Sequence, residues 1–193
     1  DYAEAHYNLG IILIDLGKLQ EAEFSCRKAI KLKPDYAEAH SNLGVILKNL
    51  SKLQEAELST RKAIEIKPDF AEAYANLGTI LYEYGELKEA ELLQRKAIKI
   101  NPNFVNAHSN LGNILRDAGK LDEAEISTRK AIQIDPNSAY SHLNLGSILK
   151  DLDKLEEAEI SIRKAIEIKP NYAEAYTNLG NILNYLGKLE EAE

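Results

Sequence analysis

Six asparagines recur in this chain at a fixed interval of 34 residues: Asn8, Asn42, Asn76, Asn110, Asn144 and Asn178, each followed by Leu-Gly. A side-chain amide offers both a donor and an acceptor, so a row of them can pair with a peptide backbone whatever its side chains. The other residues that could do chemistry are sparse. His6, His40, His108 and His142 occur once per interval, and Cys26 is the one cysteine. Adjacent stacked helices lie about 8–10 Å apart, whereas histidines sharing a metal need bonds of about 2 Å. No Cys/His cluster completes a site, so no metal is expected. Cys26 falls on an apolar helix face and reads as an inert packed thiol, since a free cysteine behaves as a small hydrophobe. Six residues separate Gly10 from Gly17-Lys18, which fails the spacing of a phosphate-binding loop. With no nucleophile–base pair and no phosphate cradle, these residues predict neither catalysis nor a cofactor.

The interval itself dictates what must position the asparagines. A period of this length marks a stacked repeat array. The blocks are 1–34, 35–68, 69–102, 103–136 and 137–170, with a partial sixth at 171–193; we read them as one array. Ala5, Leu9, Ile12, Leu13 and Leu16 share about 100° of arc at helical spacing, which predicts an amphipathic helix over 3–16. Gly17 ends it, with Gly85, Gly119 and Gly187 in the same place and Ser51 and Asp153 substituting elsewhere. Departures from glycine there are expected to cost little, on the premise that the turn avoids positive φ. A second helix carries Leu19, Ala22, Cys26, Ala29 and Ile30 on one face. Pro34 and its four counterparts close the blocks, because the residue before a proline disfavours helix. Gly10 and its equivalents sit inside the first helix, where glycine costs about 1 kcal/mol relative to alanine. Close approach of the second helix, with Ala22 and Ala29 as the matching surface, is the physical reason expected.

The net charge is −7. Phosphate-backbone binding needs a basic footprint, so nucleic acid is disfavoured. The Arg-Lys doublets sit four residues after glutamates, as in Glu23–Arg27, Glu57–Arg61, Glu91–Arg95, Glu125–Arg129 and Glu159–Arg163. That orientation stabilises a helix by about 0.2–0.5 kcal/mol per pair and makes the doublets a self-neutralised outer face. No apolar run approaches the roughly 20 residues a membrane span needs. A single cysteine fits a reducing compartment, and with no signal peptide visible the default expectation is cytoplasmic. A chain without methionine that opens directly in a repeat is expected to be a piece of a longer one.

These residues resemble the tetratricopeptide repeat: 34 residues, two helices, Leu43-Gly44 in the first, Ala56 and Ala63 in the second, and Pro68 at the end. The resemblance covers the whole chain. It implies an all-α fold, a right-handed superhelical α-solenoid of helix–turn–helix repeats whose first helices line an inner groove. Where the family often has tryptophan, this chain has His6, His40, Tyr74, His108, His142 and Tyr176, so its core packing is expected to be lighter. The asparagines also resemble the ladder in the repeat arm of O-linked N-acetylglucosamine transferase.

The residues point to the same surface. Glu4, Asn8, Ile11 and Asp15 form a stripe set off from the apolar face, with Asn8 at its centre and expected to be exposed; the alternative is a structural asparagine that bonds across to the next repeat. Spacing of about 10 Å between first helices matches about three residues of extended chain at ~3.4 Å each, so six asparagines would hold roughly 15–18 residues. Around them Ile11, Val45, Thr79, Asn113, Ser147 and Asn181 vary, as do Ile14, Lys48, Tyr82, Arg116, Lys150 and Asn184. The expected peptide-binding set is the six asparagines with Lys48, Tyr82, Arg116 and Lys150. Acids of the groove rows (Glu4, Asp15, Glu38, Glu72, Glu83, Asp117, Asp151, Glu174) outnumber those three bases, which predicts a neutral to basic peptide or protein partner. The first reading is therefore a non-catalytic protein-interaction scaffold. The alternatives are a substrate-docking arm of a larger transferase whose catalytic domain lies elsewhere, and an array that associates end to end.

Overall fold

A computed structural model describes residues 2–188. They form eleven helices in strict alternation: α1 (Tyr2–Asp15), α2 (Leu19–Leu32), α3 (Ala37–Asn49), α4 (Leu53–Ile66), α5 (Ala71–Glu83), α6 (Leu87–Ile100), α7 (Val105–Asp117), α8 (Leu121–Ile134), α9 (Ala139–Asp151), α10 (Leu155–Ile168) and α11 (Ala173–Tyr185). No strand occurs among the described residues. The fold is an all-α repeat array, and its helices start and stop where the recurring glycines and prolines place them. The second helix of the sixth block falls outside the described residues.

The chain divides into two compact units, one ending at Pro102 and the other beginning at Asn103. Within the first, α1 packs on α2, α3 on α4 and α5 on α6, while α3 also touches both α1 and α5. Its core gathers Leu13, Ala22, Cys26, Leu43, Ile46, Leu47, Ala56 and Ile80. Within the second, α7 packs on α8 and α9 on α10, with α9 beside α7 and α11. There Leu143, Leu145, Leu149, Ala158, Ile162, Ala165, Ala175 and Ile182 form the core. Burial in α1 is thinner than its periodicity predicts. Leu9, Ile12 and Leu16 are exposed, whereas Leu43 and Ile46, the counterparts of Leu9 and Ile12 in α3, are buried. The difference follows from stacking: α3 has α2 beside it, and no described helix stands before α1.

The glycine inside each first helix faces its own second helix. A Cβ at Gly78 would lie 2.7 Å from Gln94 Nε2 and 3.2 Å from the Ala90 carbonyl oxygen; at Gly44 it would collide with Thr60 Oγ1 and lie 3.2 Å from the Ala56 carbonyl. The expected close approach is present, made by the alanine carbonyl and by the side chain four residues after that alanine.

The turn between paired helices departs from expectation. Gly17 has φ +71°, and Ser51 and Asp153 adopt φ +59° and +60° in the same role. The amide of Lys18 donates to the Leu13 carbonyl at 2.8 Å and that of Gly17 to Ile14 at 2.9 Å, and Lys52→Leu47 and Ser51→Lys48 repeat the pattern. This helix-terminating pair of bonds requires a left-handed residue. A side chain there is strained, so non-glycine residues at this position are not cheap.

All five Glu–Arg pairs form, at 2.7–2.9 Å, and they reach into neighbouring repeats. Arg27 also bonds Glu55, Arg61 bonds Glu89 at 3.1 Å and Arg129 bonds Glu157 at 2.9 Å. Lysines of the following turn return to the same carboxylates: Lys52 to Glu23 at 2.8 Å, Lys154 to Glu125 at 2.7 Å and Lys188 to Glu159 at 2.8 Å. The lysine hydrogen bond is the chief reason that Glu23, Glu125 and Glu159 titrate below the ordinary 4.5, with the arginine adding to it. At Glu57 the lysine is replaced by Glu86, and that side chain is more exposed than Glu23, 28% against 14%.

Replacing the left-handed side chain at the turn should be favourable. Ser51→Gly relieves it and stabilises the fold by about 1 kcal/mol, a rise in Tm of about 2–4 °C for a chain of this size. Asp153→Gly gains less, because aspartate tolerates this conformation better. The depressed carboxylates contribute stability that is complete above pH 4.5 and lost as pH falls through their lower folded values. Thermal melts between pH 7 and pH 3 should show Tm falling below that point, and Glu125→Gln, which cannot ionise, should lose less than the parent.

Candidate functional site

In each unit the first helices lie side by side, and the row of asparagines runs across them. Their surroundings differ from the open ladder expected. Asn8 is exposed; Asn42, Asn76, Asn110 and Asn178 are half-buried; Asn144 is only 5% exposed. Several reach sideways to the preceding repeat. Asn76 Nδ2 donates to Ser41 Oγ at 3.0 Å and Asn178 Nδ2 to Ser147 Oγ at 3.2 Å. The Asn42 side chain bonds the Tyr7 phenol, whose own titration is raised first by burial and then by Glu38. Such bonds use one of an amide's two donor hydrogens and leave its carbonyl oxygen. They fix how the amide points while keeping hydrogen-bonding capacity for something else.

The second unit is arranged differently. Tyr140 stands where other blocks carry Glu4, Glu38, Glu72 and Glu174. Its phenol donates to Asn110 Oδ1 at 3.3 Å and accepts from Asn113 Nδ2 at 2.9 Å. On these same two helices, Asn144 Nδ2 and Asn113 Oδ1 are buried without a hydrogen-bond partner. An unsatisfied buried donor or acceptor costs about 1–3 kcal/mol. The two atoms are one donor and one acceptor, on neighbouring first helices.

The charged members of the expected set are engaged with neighbours. Lys48 Nζ lies 3.0 Å from Glu83, Arg116 lies 3.2 Å from Asp117 and 3.7 Å from Asp151, and Lys150 lies 3.5 Å from Asp151. Tyr82 is half-buried. Glu4 and Asp15 on α1, Glu72 on α5 and Glu174 on α11 are exposed. Sequence reasoning missed the sideways partners Tyr7, Ser41 and Ser147. It also passed over Tyr140, whose only signal was an aromatic in a column of glutamates.

Two of the histidines, and Tyr176 in the same column, bond backbone carbonyls. The ring Nε2 of His40 pairs with the Pro34 carbonyl at 3.0 Å and that of His142 with Pro136 at 3.0 Å, and Tyr176 donates to Pro170 at 3.1 Å. Each anchors its first helix to the proline that precedes it. Cys26 is fully buried against Gly10, and burial pushes its thiol up to about 11.

Profiles of the tetratricopeptide repeat match residues 3–36, 37–70, 71–104, 105–138, 139–172 and 162–193. No curated protein sequence is significantly similar to the chain. Among solved structures, YrrB, described as a tetratricopeptide repeat protein with an unusual peptide-binding site, is 26% identical. That match covers 89% of each chain, with a TM-score of 0.63. A thermophilic tetratricopeptide repeat protein of Thermus thermophilus is 22% identical over 94% of this chain and 99% of its own, with a TM-score of 0.84. Pseudomonas aeruginosa pilF is 20% identical over 99% and 86%, with a TM-score of 0.83. The last two show the fold alone. No helix among the described residues is long and apolar enough to cross a membrane.

The buried thiol yields a direct test. Since the thiolate is the reactive form, Cys26 should label with an aromatic disulfide reagent at pH 8 at least a hundredfold slower than it does in denaturant. Fast labelling of the folded chain would contradict a packed, inert role.

Proposed function

The chain belongs to the tetratricopeptide repeat family, and from that premise we propose that it is a non-catalytic scaffold whose first-helix face binds an extended, neutral to basic segment of a partner protein. The observation that carries this reading is the buried pair in the second unit, Asn144 Nδ2 and Asn113 Oδ1, which lack protein partners. An extended peptide carries both carbonyls and N–H groups along its backbone, the two partner types that these atoms lack. The amides held by Ser41, Ser147 and Tyr7 are already oriented, which lowers the ordering cost of binding.

Sequence preference comes from the acids around the row. Lys48, Arg116 and Lys150 are neutralised by Glu83, Asp117 and Asp151, so they offer little to a ligand's carboxylates. Exposed Glu4, Asp15, Glu72 and Glu174 favour lysine or arginine beside the bound backbone and raise the rate of encounter with basic segments. The peptide-binding description of YrrB accords with this reading. The protein's role is then to hold a partner rather than to transform it.

Peptide-array binding tests the proposal, with the parent compared to a chain carrying Asn76→Ala, Asn110→Ala and Asn144→Ala. Three lost hydrogen bonds at about 0.5–1.5 kcal/mol each should weaken binding at least tenfold while helical circular dichroism is retained. Unchanged binding would make the asparagines purely structural and would end this reading. Bound peptides should be enriched in lysine and arginine; enrichment in acidic sequences would contradict the charge argument.

A further inference from the structure

Tyr140 breaks a pattern that its counterparts keep. Its column is otherwise filled by Glu4, Glu38, Glu72, Asn106 and Glu174. It lies one helical turn before Asn144 on α9, so the two share a face of that helix. The residue is 40% exposed, yet its hydroxyl makes two hydrogen bonds to α7. It donates to Asn110 Oδ1 at 3.3 Å and accepts from Asn113 Nδ2 at 2.9 Å. A hydroxyl that donates once and accepts once offers what a peptide unit offers through its N–H and its carbonyl. On α7 the phenol therefore fills the place of a ligand's backbone.

The next repeat shows what this arrangement forgoes. There Asn178 Nδ2 donates to Ser147 Oγ at 3.2 Å. Shifted back by one repeat, the same pair is Asn144 and Asn113. That bond is not made. Asn113 turns its Nδ2 to the phenol, and Asn144 Nδ2 and Asn113 Oδ1 are both left buried without a partner. Buried polar atoms without partners destabilise the state that contains them, so the two bonds of the phenol are held against two that are missing. Both leftover atoms are also shut off from solvent, and a ligand meets them only after a side chain has moved.

Tyr140 is placed to be that side chain. It is the second residue of α9. Deeper in a helix the preceding turn crowds one of the three χ1 wells of an aromatic residue, and here no such turn precedes it. Resting on the peptide-binding reading above, we propose that Tyr140 is a latch on the first-helix face of the second unit. In the free protein its hydroxyl occupies Asn110 and Asn113. A bound extended segment displaces it, giving an N–H to Asn110 Oδ1 and a carbonyl to Asn113 Nδ2, and brings the two leftover atoms within reach of the ligand. The latch keeps this stretch of the face closed to any segment that cannot replace both bonds.

Binding of a lysine-containing peptide selected on the array tests the latch, with the parent compared to Tyr140→Phe and Tyr140→Ala chains. Tyr140 is partly exposed, so both should keep their helical circular dichroism. Phenylalanine keeps the ring and removes the competing hydroxyl, and that chain should bind the peptide at least about threefold more tightly than the parent. Alanine removes the ring as well and should bind at least as tightly as phenylalanine. A tyrosine that contacts the peptide would give weaker binding on substitution, and one that only braces α7 against α9 would give no gain; either result overturns the proposal. An Asn110→Ala, Asn144→Ala chain separates the latch from the reading it rests on. If that chain binds more weakly than the parent while Tyr140→Phe brings no gain, the latch alone falls. If none of these substitutions changes binding, the latch and the peptide-binding face fall together.

Discussion

The architecture rests on how closely two helices approach within a repeat. At Gly44 the second helix comes so near that a single methyl group would collide with Thr60 and crowd the Ala56 carbonyl. Interiors pack at crystalline density and do not absorb such an insertion without strain. Accepting glycine inside a helix costs about 1 kcal/mol, which the fold tolerates because contact across the pair buries Ala56, Thr60 and Ala63 completely. The short left-handed turn serves the same geometry, returning the chain so that the second helix lies on that glycine.

Once the second helix is seated there, the two remaining faces of the repeat are assigned. The first helix turns its asparagine toward neighbouring first helices, where short polar partners such as Ser41 and Ser147 hold the amide. The second helix turns its Glu–Arg pairs and its exposed leucine or isoleucine outward. Carboxylates such as Glu125 take an arginine from their own helix and a lysine from the next repeat. The outer network therefore joins repeats as well as stabilising single helices. Individually such exposed pairs contribute little, but shared carboxylates couple them.

Helix order and boundaries were legible because six copies average out local ambiguity: proline, turn residue and mid-helix glycine recur at the same offsets. The Glu–Arg pairs were legible because helical spacing alone brings them together. The left-handed backbone at Ser51 and Asp153 was hidden, since a serine or aspartate gives no sign of the φ it is forced to adopt. Bonds from the asparagines to a neighbouring repeat were one reading of the sequence, but their partners were hidden for a related reason. Their partners lie one repeat away and change type, from the Tyr7 phenol to the Ser41 and Ser147 hydroxyls. Tyr140 gave no sign of its role, since its phenol meets Asn110 and Asn113 of the preceding repeat.

The central claim is that oriented asparagine amides on the first helices meet the backbone of an extended ligand. Side-chain amide resonances report this directly, on a chain labelled at asparagine and titrated with a lysine-containing peptide selected by the array. The account predicts that the Nδ2 signals of Asn144, Asn113 and Asn110 shift together and saturate with one affinity. If they stay fixed while the signals of exposed glutamates alone respond, binding is electrostatic adhesion and the amides are structural.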